Sequence, residues 1–390
     1  MRATDFFDPS DEDYIVRIRR ELHQHPELGF DLPFTTDLVK TQLTAMGVPY
    51  TEQYGKSGIV AMLGKTNSRP CVAIRADMDA LPITENSAVS FPSLEPGKMH
   101  ACGHDAHTAI LLGTARALKR AETQLKGSVK LIFQPNEEGG GGAIPMIEDG
   151  VLNDVDVIVA LHTDNKLECG TIGAREGAAL AASTPISLEF FGKTAHAAVP
   201  EKGHDALAMA VKTYNGIQTM LLREIDPLVR YACSITVLKA GTAPNVVPDY
   251  AQMEIALRTF DLQLSEFIHQ RIQMIAEHAA QELGGTARWK CETNCLPLIN
   301  NPDMTRKLLC AAAKIVGDDH IVPVDLGLGS EDYSYFLDKV PGVYFRLGTK
   351  NAAKGCVARA HNSDFCIDEA AMILGSKTYV QFVLDYFDQL

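Results

Sequence analysis

Residues 184–222 read TPISLEFFGKTAHAAVPEKGHDALAMAVKTYNGIQTMLL, and inside this stretch the apolar rhythm changes period. Alternation over Ile186–Phe191 predicts a strand, and from Asp205 to Leu222 apolar residues recur at helical spacing. Downstream the pattern continues with strands at Tyr231–Lys239 and Tyr250–Arg258, a helix at Leu262–Leu283 and a strand at Thr286–Glu292. The order β-α-β-β-α-β is the split β-α-β arrangement of a compact unit, placed here at residues 184–292. Its helices each carry one apolar stripe expected to cover the sheet: Leu207, Val211, Tyr214 and Leu221 on the first, and Ile268, Ile272, Ile275 and Ala279 on the second.

The flanking sequence has a different rhythm. Asp8-Pro9-Ser10 starts a helix with apolar positions at Ile15, Ile18 and Leu22. Short apolar runs at Gly58–Leu63, Cys71–Ala76, Val129–Phe133 and Val155–Leu161 alternate with helical patterns such as Asp105–Ala121. That alternation predicts β-α-β units around a mostly parallel sheet, an α/β domain. After Thr293 helix and strand segments resume, so residues 1–183 and 293–390 form one discontinuous domain, with the α+β unit inserted. Ligands of parallel sheets bind beyond the carboxyl ends of the strands; Asp77, Glu137 and His162 each follow one of these runs.

Composition narrows the class of function. At 390 residues the chain exceeds what one hydrophobic core usually supports, and 46% hydrophobic with 22% charged residues is ordinary globular usage. The formal net charge of -13, with no basic block, excludes nucleic acid and anionic membrane surfaces as expected partners. The amino terminus lacks the apolar core of a secretory signal, and no apolar run is long enough to span a bilayer, so a cytoplasmic location is expected. The nine cysteines show no paired framework and are expected to be reduced; Cys291 and Cys295 lack a second pair that would make them half of a zinc site.

Chemistry concentrates in His100-Ala101-Cys102-Gly103-His104-Asp105-Ala106-His107, where a thiol, three imidazoles and a carboxylate fall within one short segment. Thiolate and neutral imidazole are the usual donors for zinc and similar ions. If the segment is extended, Cys102 and His104 point to the same side, while His107 falls at the start of the next helix. Glu137-Glu138 follows a buried run and precedes the glycines Gly139–Gly142, which would let the backbone approach a ligand closely. Of two adjacent carboxylates, one can bind metal while the other takes a proton from water. His162 and His361 are further candidate ligands, and a carboxylate of Asp77-Met78-Asp79 could orient a ligating imidazole.

Taken together, these segments resemble the M20 family of metallopeptidases and amidohydrolases, in particular its subfamily D. The likeness runs through RRELHQHPELGF (19–30), IRADMDALPI (74–83), HACGHDAHTA (100–109), LIFQPNEEGG (131–140), GKTAHAAVPEKG (192–203), GTAPNVVPD (241–249) and GSEDYSYF (329–336). It implies a divalent metal centre, two ions of zinc or manganese per subunit, held by Cys102, His104, Glu138, His162 and His361. It also implies Glu137 as general base and Asp79 as support for the ligands. On the inserted lid it implies His196 as oxyanion-stabilising histidine, with Asn245 and Arg258 near the substrate carboxylate, and a homodimer formed through that lid. Around His361 the chain departs from the more usual His-x-Pro-x-Phe-Asp: Ser363 stands for proline and Cys366 for aspartate.

The resulting expectation is hydrolysis of an N-acyl amino acid to a carboxylic acid and a free amino acid. Cleavage of dipeptides is the nearest alternative. A cysteine hydrolase with Cys102 as nucleophile is a mechanistically different one. A non-catalytic metal-binding protein is a third, disfavoured because such a site has no need of a spare base at Glu137.

Overall fold

The structure is a computed structural model that describes residues 1–65, 69–291 and 293–389. Glu292, the expected end of its strand, lies outside the described residues. The chain divides into two compact units, one comprising Met1–Ala179, Ile299–Leu326 and Asp332–Leu390, the other Leu180–Leu298 with Gly327–Glu331. Among the described residues no helix is long and apolar enough to cross a membrane.

The larger unit is built on a seven-stranded sheet in the order Tyr50–Tyr54, Gly58–Gly64, Ser128–Gln134, Cys71–Asp77, Val157–Glu168, Gly342–Lys350, Ile172–Gly173. Its four middle strands from Ser128–Gln134 to Gly342–Lys350 run parallel, and the pairs outside them are antiparallel. Every residue of Cys71–Asp77 and of Ser128–Gln134 is buried, as expected of parallel strands covered on both faces. The helices Ser10–Gln24, His104–Ala121 and Met372–Asp388 pack on one another and share their core with the sheet. One strand is longer than its apolar run suggested. Gly342–Lys350 pairs in parallel with Val157–Glu168 along nearly its whole length, so His162 sits within the strand rather than after it.

The smaller unit has a four-stranded antiparallel sheet in the order Tyr231–Ala240, Tyr250–Thr259, Ala182–Phe191, Thr286–Cys291. By sequence that order is second, third, first, fourth, the split β-α-β arrangement. Its helices Ala206–Arg223 and Leu262–Glu282 close a separate core. Ile268, Ile272 and Ala279 are buried as the periodicity implies, and Ile275 packs against the same core. On the first helix the expected stripe was the wrong one: Leu207, Val211 and Tyr214 are exposed, and the buried face runs through Ala206, Met209, Ala210, Thr213, Ile217 and Met220, reaching Leu221 at its edge. Small residues let this helix approach closely; a side chain at Gly216 would collide with Ile275 of the other helix. Thr213 is tolerated inside because its hydroxyl donates to the Met209 carbonyl at 2.9 Å. Hydrophobicity therefore mispredicted the face that packing selected.

Candidate active site

Two parallel strands deliver their carboxyl ends to one place in the larger unit. Cys71–Asp77 ends in Asp77 and leads to Asp79, while Ser128–Gln134 leads through Pro135-Asn136 to Glu137 and Glu138. Asn136 carries a φ of 56°, a left-handed conformation that asparagine adopts more readily than most residues. It turns the chain so that the amides of both glutamates face Asp79, whose oxygens accept the Glu137 N–H at 2.9 Å and the Glu138 N–H at 3.1 Å.

The Cys102–His104 segment is not extended. Gly103 takes a φ of 91°, caps the helix His104–Ala121, and lies so close to the Thr163 hydroxyl that a side chain there would strike it. The turn nevertheless aims both neighbours inward. Ligand atoms of Cys102, His104 and His162 lie within 4.8 Å of one another, as do those of Cys102, Glu138 and His361, and those of His104, Glu137 and Glu138. Two donor groups thus share the Cys102 sulfur. His361, with a φ of 66° and its N–H on the Ala101 carbonyl at 2.8 Å, enters from a distant loop and brings Nε2 to 3.0 Å from Glu138 Oε1.

Hydrogen bonds fix which nitrogens are available. His162 Nδ1 donates to the Thr163 carbonyl at 2.6 Å, leaving the Nε2 lone pair facing Cys102 Sγ at 3.3 Å. Burial, reinforced by the His107 imidazole beside it, pushes His162 well down, so its ring is neutral as a ligand requires. His107, by contrast, donates from Nδ1 to Asp77 at 2.6 Å and accepts the Thr163 N–H on Nε2 at 3.0 Å. Both of its nitrogens are committed, which makes it a buttress rather than a donor.

The residues fit a cation. Both nitrogens of His104 and Oε1 of Glu138 are buried without a well-aligned hydrogen bond, and buried polar atoms of this kind call for a partner. The nearest carboxylate oxygens to His104 are at 3.5 Å (Asp79) and 3.7 Å (Asp77). Burial alone would push His104 down, yet Asp77 and Asp79 outweigh it and hold the imidazole well above its ordinary value. Glu138 shows the converse: burial pushes its carboxyl up, but His361 and His104 hold it below the usual range. The pocket concentrates negative charge around soft and borderline donors, the environment of a divalent ion.

Behind the donors lies a buried network that sequence reading did not assign. Arg75 donates to Gln134 at 2.8 Å, to Asp77 at 2.7 Å and to Asp332 at 3.0 Å. Asp332 also accepts from Gln134 and from the N–H groups of Gly142 and Ala143, at 2.9 and 3.0 Å. It anchors the glycine run. A side chain at Gly139 would strike Asn136 and one at Gly142 the Pro135 carbonyl, so two of these glycines fold the turn onto itself. The motif around Asp332 was visible, but its 190-residue separation from Gly142 hid the contact.

In the smaller unit, His196 is exposed on the strand Ala195–His196, paired with Val246–Val247, and the next residue, Ala197, bonds to the Asn245 carbonyl at 2.9 Å. His196 Nδ1 accepts the Ala198 N–H at 3.1 Å, which leaves Nε2 as the protonated, donating nitrogen of the neutral ring. Arg258 lies on the long strand Tyr250–Thr259, with its guanidinium on the Ser183 hydroxyl.

Comparison with known proteins gives a consistent result. The sequence profile of peptidase family M20/M25/M40 matches residues 73–385. The chain is 36% identical over 379 residues to thermostable carboxypeptidase 2 of Saccharolobus solfataricus, covering 96% of each. It is 35% identical over 375 residues to N-acetylcysteine deacetylase of Bacillus subtilis, covering 95% of this chain and 96% of that enzyme. A crystal structure of the Bacillus subtilis YXEP protein, described as a dinuclear metal-binding peptidase from the M20 family, superposes with a TM-score of 0.86 at 31% identity, over 98% of this chain and all of the other.

Proposed function

The chain belongs to peptidase family M20/M25/M40 and is a metal-dependent hydrolase of amide bonds, and from that premise we propose that it cleaves N-acyl amino acids into a carboxylic acid and a free amino acid. The observation that carries the reading is the donor cluster in which buried Cys102, His104 and His162 converge with half-buried Glu138 and exposed His361, beside a second, half-buried carboxylate at Glu137. The two donor groups that share Cys102 support two ions, zinc or manganese, with Cys102, His104 and His162 in one group and Cys102, Glu138 and His361 in the other. Bound there, a divalent ion supplies Lewis-acid polarisation of the amide carbonyl and acidifies water at the site.

The chain's own residues do the rest. Glu137 takes the proton of the attacking water and returns it to the leaving amine. Asp79 holds Glu137 in place by its backbone and stands beside His104. His196, through Nε2–H, meets the oxyanion that develops on the carbonyl. Asn245 and the guanidinium of Arg258 receive the free carboxylate of the amino acid. We infer further that the protein is a homodimer through the inserted segment 184–292, which lies within the smaller unit.

The cysteine-nucleophile alternative is disfavoured by electrostatics, because burial and the Glu138 carboxylate push the Cys102 thiol up, opposite to the depressed value of an activated nucleophile. The deciding experiment is to strip the metal with chelator, add back zinc or manganese, and assay N-acetyl, N-benzoyl, N-aminobenzoyl and indoleacetyl amino acids alongside dipeptides. Turnover of the acyl amino acids only after metal is restored supports the reading. A preference for dipeptides makes the protein an exopeptidase, and full activity of metal-free protein overturns the metal mechanism.

A further inference from the structure

The loop that carries His361 is bracketed by two cysteines, Cys356 and Cys366, whose sulfurs lie 3.1 Å apart. That is about 1 Å beyond a disulfide bond of roughly 2.05 Å. The backbone at each sulfur is fixed. Cys356 exchanges both backbone hydrogen bonds with Asn351, each at 3.0 Å, and is buried. Cys366 stands between Phe365 and Ile367, both in the core of the larger unit. Between these anchors none of residues 357–364 is buried.

A third group narrows the neck of the loop. The buried Asn165 side chain donates to the Ala358 carbonyl at 2.7 Å and to the Cys366 carbonyl at 2.8 Å, while its own oxygen accepts from Thr349 at 2.7 Å. The two arms of the loop are therefore held together at the level of the thiols, and bond formation asks only for a small movement of the sulfurs.

We propose that Cys356 and Cys366 are a modification site: a thiol pair that closes reversibly into a disulfide and clamps the loop carrying His361. The oxidant belongs to the class of small disulfides, glutathione disulfide being the probe. The Cys366 thiolate attacks one sulfur of glutathione disulfide, forming a mixed disulfide and releasing one glutathione. The Cys356 thiolate then attacks the Cys366 sulfur, the Cys356–Cys366 bond forms, and the second glutathione leaves. Two electrons pass from the protein thiols to the glutathione disulfide, and the two thiol protons end on the two released glutathiones. Burial, together with the neighbouring Cys366, pushes the Cys356 thiol up to about 12, which suits it to the second, intramolecular step rather than the first. The clamp restricts a loop that is tied to the rest of the unit through the His361 N–H on the Ala101 carbonyl and through Asn86, whose N–H reaches the Ser363 carbonyl at 2.8 Å and whose side chain reaches Asp364 at 2.9 Å.

Trypsin reads the site directly, because it cuts at Lys354, Arg359 and Lys377 and so places the two cysteines in separate peptides, 355–359 and 360–377. After incubation of the full chain with glutathione disulfide, the intact mass should fall by about 2 Da, and the two peptides should run as one species that dithiothreitol separates. Cys366→Ser should abolish that species. Amide hydrogen exchange over residues 357–364 should be several-fold slower in the oxidised chain. A stable glutathione adduct on Cys366, or a bond from either cysteine to any other cysteine of the chain, overturns the pairing. A Cys356–Cys366 bond that leaves exchange over 357–364 unchanged overturns the clamp. The mass and peptide readouts depend on neither metal content nor turnover, and exchange is compared between oxidised and reduced chain at the same metal content because His361 lies in the segment, so failure here is distinct from failure of the hydrolase reading.

Discussion

The Asp79 carboxylate accepts the backbone N–H of Glu137 on one oxygen, at 2.9 Å, while its other oxygen accepts that of Glu138 at 3.1 Å. One acidic side chain thus sets the position of both the proposed base and a proposed ligand, and its first oxygen also lies 3.5 Å from His104 Nδ1. Asp79→Asn keeps one acceptor but turns an amide N–H against the other backbone donor. It also removes the negative charge beside His104. Changes in groups that orient metal ligands typically cost about 10–100-fold in metal affinity or activity. The expected outcome is a loss of that size in both, measured by metal titration and kcat; unchanged metal affinity would show that Asp79 does not hold the centre.

Glu137→Gln separates the base from the ligand. The amide is nearly isosteric and cannot take a proton, so metal content should persist while kcat falls by about 10²–10⁴-fold. Elemental analysis and steady-state kinetics on the same preparation check this. If metal is lost instead, Glu137 and Glu138 have exchanged roles.

The proposed dimer and the proposed role of His196 can be tested together. If His196 of one subunit serves the site of its partner, mixing inactive Glu137→Ala protein with inactive His196→Ala protein rebuilds one complete site in each hybrid dimer. Random exchange makes about half the dimers hybrids, each with one working site of two, so roughly a quarter of wild-type activity should return. With exchange verified by mass, an inactive mixture would mean that His196 acts within its own subunit or not at all.

Much of this architecture can be read from local pattern. The strands Cys71–Asp77 and Ser128–Gln134 are rich in apolar residues because both their faces are covered, and the donors Cys102, His104, Glu138, His162 and His361 are of the residue types that bind metal. What is not legible is decided by contacts remote in sequence. The burial of Met209 and Ala210 in place of Leu207 and Val211 follows from how closely two helices approach at Gly216. Similarly, the grip of Asp332 on Gly142 and of Asn165 on both arms of the His361 loop joins segments that no period or spacing relates. The commitment of His107 to Asp77 and Thr163 is of the same kind: a histidine in a metal-rich segment is a donor or a buttress according to what its nitrogens meet.

A last prediction concerns the buried charges behind the donor cluster. His23 places Nδ1 at 2.8 Å from Asp105 and Nε2 at 3.1 Å from Glu85, so both nitrogens face carboxylates and only the doubly protonated ring satisfies both. Asp105, beside His104 on the same helix, also receives Arg19 at 3.0 Å. Burial pushes His23 down, but Asp105 and Glu85 outweigh it and hold the imidazolium above its ordinary value. Burial pushes Asp105 up, and Arg19 and His23 hold it well below the usual carboxylate range. The raised histidine contributes stability that is fully present below about pH 6.5 and is lost as pH rises towards its folded value; the lowered aspartate contributes stability present above about pH 4 and lost as pH falls. His23→Gln keeps hydrogen-bonding capacity without the charge. Relative to this variant, wild type should be more stable by a margin that is constant from about pH 5 to 6.5 and then narrows by up to roughly 1.4 kcal/mol per pH unit. His23→Ala, which leaves two buried carboxylates short of a partner, should cost about 3–5 kcal/mol at pH 6. Denaturant unfolding of the three proteins between pH 5 and 9 measures both effects. A wild-type margin over His23→Gln that stays constant across that range would show that His23 is neutral in the folded protein.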